Sequence, residues 1–138
     1  MMKWSEFQSL YPFFWMWLTA WLKSKGAQDI MVIRGVSNSE YVKVRFNIPK
    51  KEQELSDSML FELLDEAGIR VCVDFDTENP KANWRYVIHK KRLNELWTQI
   101  HSSEYIFNKE KYAVSSGLKH AFDLVNESLK KQNAVAYH

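Results

Sequence analysis

The chain has 138 residues, of which 46% are hydrophobic, 14% aromatic and 26% charged. This supplies a real apolar core for one ordinary domain, 1–138, and argues against disorder. A net charge of +2 is too small to signal a polyanion partner, and the single cysteine, Cys72, excludes both an internal disulfide and a thiolate metal cluster within one chain.

The most apolar stretch comes first, Leu10 to Leu22, without a charge and with Trp15, Trp17 and Trp21 in it. As a helix it spans roughly 20 Å, short of the 30 Å or so of a bilayer core, so no transmembrane segment is expected. It also ends in Lys23-Ser24-Lys25-Gly26 without a small-x-small cleavage pattern, which argues against a secretory leader. The spacing predicts a helix with Ser5 as cap and Gln8 completing a capping box. Pro12 either kinks it or marks its true start. Phe7, Tyr11, Phe14, Leu18 and Trp21 make one apolar face; Phe13, Met16, Trp17 and Ala20 make a second. A helix apolar nearly all round needs cover nearly all round. Gly26 is a fitting stop.

Residues 29–36 and the alternating run Tyr41 to Ile48 read as a hairpin, with Val42, Val44, Phe46 and Ile48 on one side and Tyr41, Lys43, Arg45 and Asn47 on the other. Pro49 ends it, and Lys50 to Leu55 reads as a charged connection. Ser56 caps a helix to about Ala67, with Leu60, Leu63, Leu64 and Ala67 inward and Gly68 as its stop. Ile69 to Asp76 and Trp84 to His89 form a second hairpin around the loop Thr77–Asn83. Val71, Val73, Phe75, Trp84, Tyr86 and Ile88 are expected inward; Val87 is expected outward. Arg92 to His101 carries Leu93, Leu96, Trp97 and Ile100 at helical spacing. Asn108 opens the last helix, whose buried stripe is Val114, Leu118, Phe122, Val125 and Leu129, and the tail frays from about residue 133. The expected fold is therefore α+β: a two-layer sandwich with a four-stranded antiparallel sheet from two hairpins, helices on one face, and element order α-β-β-α-β-β-α-α.

Several groups invite a chemical reading. Asp74 and Asp76, two apart at a strand end, put two carboxylates on one side, as a Mg²⁺ site would require; the plainer reading is a solvated edge with Asp74 paired to Arg45 or Arg85. Arg45, Asp74, Asp76, Arg85 and His89 together would make an anion or ligand site on the open sheet face, or a row of cross-strand ion pairs. Lys90, Lys91 and Arg92 form a basic corner suited to phosphates. Cys72 with His89 lacks any oxyanion signature, and His101 and His120 read as helix surface residues. No motif identifies a family, and no metal or cofactor is expected.

With no competent catalytic constellation, the sequence points to a non-enzymatic intracellular, cytoplasmic protein-binding module of the inhibitor, immunity or adaptor type. It would use the aromatic helix, through Trp15 and Trp17, on a protein partner or on a second copy as a homodimer. The alternatives are a nucleic-acid-associated protein using the basic corner, and a small phosphate-handling enzyme with a carboxylate/His site on the open sheet face.

Overall fold

A computed structural model of the chain describes residues 3–78 and 81–136, with side chains to residue 132. It is α+β, with four helices and two three-stranded antiparallel sheets. The expected single four-stranded sheet is thus corrected: each expected hairpin gains a third strand, and the two hairpins stay in separate sheets. The chain forms two compact units, one of residues up to 63 with those from 125 onward, the other of residues 64–124.

The first unit holds α1 (Trp4–Leu10), α2 (Pro12–Ser24), β1 (Ala27–Arg34), β2 (Glu40–Asn47) and β3 (Lys50–Glu54). Pro12 splits the aromatic stretch: it is the first residue of α2, where its missing N–H costs nothing. Ser5 is not a cap. It lies inside α1, and its N–H and hydroxyl donate to the two carboxylate oxygens of Glu40, each at 2.8 Å, so a β2 side chain closes that helix start. α1 lies against β2 and α2 against β1. Phe7, Phe14, Leu18 and Leu22 are buried together with Val42, Val44 and Phe46, as the alternation of β2 requires. Gly26 ends α2 with φ at +101°, a left-handed conformation that favours glycine.

The stretch Lys50 to Leu55 is no mere connection. Residues 50–54 form edge strand β3, entered through the Ile48–Pro49 turn with its cis peptide. Its register sets Lys51 opposite Phe46, where the ammonium lies 5.0 Å from the ring centroid. An edge strand of Lys and Glu offers no apolar alternation, and its charges blunt further strand addition.

Helix α3 (Asp57–Glu66) starts where expected: the Met59 N–H donates to the Ser56 hydroxyl at 3.3 Å and to its carbonyl at 3.1 Å. Leu60, Leu63 and Leu64 are buried, whereas Ala67 lies past the helix end and is exposed.

The second unit is built on β4 (Ile69–Phe75), β5 (Trp84–Lys91) and β6 (Trp97–Ser102), with β5 central. The expected helix from Arg92 to His101 does not form. Arg92 to Leu96 is a tight turn, with Arg92 N–H to the Leu96 carbonyl at 2.8 Å and the Asn94 side chain accepting from the Leu96 N–H at 3.2 Å; the chain then returns as β6. Leu93 and Leu96, two of the residues at helical spacing, are exposed for that reason. The Arg70 guanidinium lies over the Trp97 ring, 4.0 Å from its centroid. Val87, expected outward, is buried in the central strand between Cys72 and Ser102. The expected loop Thr77–Asn83 falls partly on residues 79–80, outside the described residues.

Helix α4 (Glu110–Ala136) begins two residues after Asn108, which therefore does not cap it. Ala113, Leu118, Ala121, Phe122 and Val125 are buried, and Val114 and Leu129 are half-buried. Gly117 sets its approach to the second sheet: a Cβ there would stand 2.5 Å from Val71 Cγ1 and 3.0 Å from Tyr86 Cβ. Where fraying was expected from about residue 133, the backbone of α4 continues as helix to Ala136; residues 137–138 lie outside the described residues.

Candidate functional site

The face of α2 opposite its buried stripe is the best candidate for function. Phe14, Leu18 and Leu22 recur every four residues and are completely buried. Half a turn away, Met16 is 62% exposed and Ala20 is also exposed, flanked by half-buried Phe13 and Trp17. Helical geometry thus presents an apolar stripe of Phe13, Met16, Trp17 and Ala20 on the side not used by the core. Trp15 and Trp17 take different roles. The Trp15 ring faces α1, with centroids 6.2 Å from Trp4 and 6.3 Å from Phe7. Trp17 stands edge-on to Phe14 at 5.7 Å and borders the outward stripe.

The start of α2 is fixed from far along the chain. Asn126 on α4 is 7% exposed, and its Oδ1 accepts the N–H groups of Phe13 at 3.0 Å and Phe14 at 3.1 Å. Those are the second and third residues of α2, where helix N–H groups lack partners of their own. Nothing local in the sequence marks Asn126 as a cap; its only sign is a polar residue on the buried side of an amphipathic helix.

The polar residues expected to share one open sheet face are divided between sheets. Arg45 sits on β2 and pairs with Asp29 directly opposite on β1. On the other sheet Asp74 faces Arg85, whose Nε and Nη2 lie 3.0 and 2.9 Å from Oδ2, while the guanidinium lies 4.7 Å from the Tyr105 ring centroid. Asp76 is turned to the loop, where Oδ1 accepts the Glu78 N–H at 3.0 Å. His89 stands opposite Arg70, and Cys72 opposite Val87, so register does not set the thiol directly across from the imidazole. Among the described residues no group of three or more His, Cys, Asp or Glu is placed to hold a metal ion. Lys90, Lys91 and Arg92 are exposed at the β5–β6 turn.

One cluster escaped the sequence reading. His101, expected on a helix, lies on β6 opposite Ile88 and so on the same sheet face as Tyr86. His120 reaches that face from α4, three residues after Gly117. The His101 and His120 ring centroids are 4.3 Å apart, and the Tyr86 hydroxyl is 3.0 Å from His120 Nδ1. Burial raises the Tyr86 pKa. Burial first, then the neighbouring His101, lowers that of His120, against an opposing pull from Asp123. Burial thus disfavours the charged form of both groups, and the tautomer of His120 sets which of the hydroxyl and Nδ1 donates. The cluster holds an acid-sensitive contact between α4 and the sheet.

No protein-family model matches the chain, and neither does any curated protein or solved structure with which it was compared. No described helix is long and apolar enough to cross a membrane.

Proposed function

We propose that the chain is a non-enzymatic protein-binding module, of the inhibitor, immunity or adaptor kind, working in the cytoplasm and docking a protein on the outward stripe of α2. The observation that supports this is Met16, 62% exposed at the middle of the most apolar helix and flanked by Phe13 and Trp17, while the opposite side of the same helix is fully buried. An aromatic and methionine patch on a rigid element is the composition of an interface core. Its energy would concentrate in Trp17, the largest side chain there. The cap by Asn126 favours the same reading, because an ordered helix loses little entropy on docking.

The partner is another protein or a second copy of the chain, and two measurements separate them. Light scattering across a concentration series reads self-association. Capture from lysate of the source cells, with and without nuclease, reads a foreign partner. Met16→Asp tests the surface in both, because a side chain this exposed can be charged without disturbing the core. The reading requires that Met16→Asp abolish the complex. A nuclease-sensitive complex that survives this change would assign binding to Lys90, Lys91 and Arg92 instead.

A further inference from the structure

The β5–β6 turn has a composition that the protein-binding reading does not use. Leu93 is 107% exposed and Leu96 65%, at the tip of a turn held closed by main-chain hydrogen bonds and by the Asn94 side chain. Lys90, Lys91 and Arg92 precede the leucines directly, and none of the three is ion-paired among the described residues. Trp97 follows, half-buried beneath Arg70. Beside the turn is an open depression of about 390 Å³, lined by Glu66, Gly68, Lys90, Lys91, Arg92 and Leu93 among others.

We infer that this turn is an anchor for an anionic phospholipid surface. A convex tip bearing two aliphatic side chains enters a bilayer interface without needing a fitted cavity, whereas a protein partner would have to supply one. The three cations beside the tip meet the negative headgroups at the depth where the leucines leave water. Asp65, on which Lys91 acts, and Glu66 in the same depression oppose them, so the attraction is modest and the binding reversible. A nucleic acid would engage the cations but offers no place for the leucines. The turn is already ordered by its own hydrogen bonds, so docking needs no folding step.

The test is sedimentation of the full chain with vesicles of phosphatidylcholine alone and of phosphatidylcholine mixed with phosphatidylserine, at low and high salt. The chain should bind the mixed vesicles, weakly or not at all the neutral ones, and less at high salt. Leu93→Ser with Leu96→Ser should lower the partition coefficient roughly tenfold or more, from the apolar area no longer buried. Lys90→Gln and Lys91→Gln should lower it about fivefold each. All four side chains are exposed, so thermal unfolding of the variants should match the parent and shows that the fold is intact. Failure to bind mixed vesicles at low salt overturns the inference. So does binding that the serine variant leaves unchanged. Binding of double-stranded DNA, lost in the glutamine variants but kept in the serine variant, would assign the turn to nucleic acid and overturn it too.

Discussion

Replacing Asn126 by alanine removes the one acceptor shared by the Phe13 and Phe14 N–H groups. The Phe14 bond is buried, so water does not replace it there; an orphaned buried donor costs about 1–3 kcal/mol. The Phe13 bond is only partly buried, so water offsets some of its loss, which stays nearer the 1 kcal/mol or so typical of a lost cap. Together the loss should be about 2–3 kcal/mol, or a fall in Tm of roughly 6–12 °C for a chain of this length. Asn126→Leu keeps the volume but not the acceptor, and should lose nearly as much, which separates the hydrogen bonds from the cavity. Asn126→Asp keeps the acceptor and adds a charge that suits a helix N-terminus, against the cost of burying it. It should lie within about 1 kcal/mol of the parent at neutral pH. Urea unfolding measures all three, and amide exchange at Phe13 and Phe14 should quicken in the first two. If alanine and leucine both stay within about 0.5 kcal/mol of the parent, Asn126 does not hold α2 and the reasoning fails.

Gly117→Ala should destabilise by about 0–2 kcal/mol: overpacking against Val71 and Tyr86 costs about 1–3, and alanine's helix propensity returns about 1. A variant more stable than the parent would show that α4 does not approach the sheet this closely, while adding Val71→Ala should relieve the clash in a double-mutant cycle. Ser5 holds the Glu40 pKa below its usual value, through its backbone N–H first and then its hydroxyl. The contact therefore contributes above the ordinary carboxylate pKa and is lost as pH falls through the lowered one, so protection of the Ser5 amide, relative to its unstructured exchange rate at the same pH, should fall in acid and Glu40→Gln should flatten that dependence. The lowered pKa of His120 has the same sign: the unfolded chain takes up the proton first, so stability should decline as pH falls below the ordinary histidine pKa of 6.5. His120→Gln should remove that slope; an unchanged slope in urea unfolding would assign it to another group.

Periodicity was legible wherever a segment's own residues carry it. The alternation Val42, Val44, Phe46 placed β2, the i, i+4 stripe placed α4, and Ser56 and Gly68 bracketed α3. Asp74 pairs with Arg85, one of the two arginines that the alternation of the strands offered it. What escaped is held by partners distant in sequence. Strand β3 is polar throughout, and only its hydrogen bonds to β2 make it a strand. Leu93, Leu96, Trp97 and Ile100 have helical spacing, yet the Asn94 turn and β-forming residues from Trp97 onward won. That one error hid His101, because a residue assigned to a helix could not be seen to share a sheet face with Tyr86. It also concealed the exposed leucines, since a helix would have buried them. Caps supplied by Glu40 and Asn126 leave no mark beside the helices they close.

The most direct measurement on the proposed docking surface compares the full chain with Met16→Asp by light scattering over a concentration series and by nuclease-treated capture from source lysate. The expected result is one stoichiometric protein complex, with itself or with another chain, absent in Met16→Asp at unchanged thermal stability. A parent that stays monomeric and captures nothing, or a complex that Met16→Asp retains, would contradict the assignment of that stripe to protein binding.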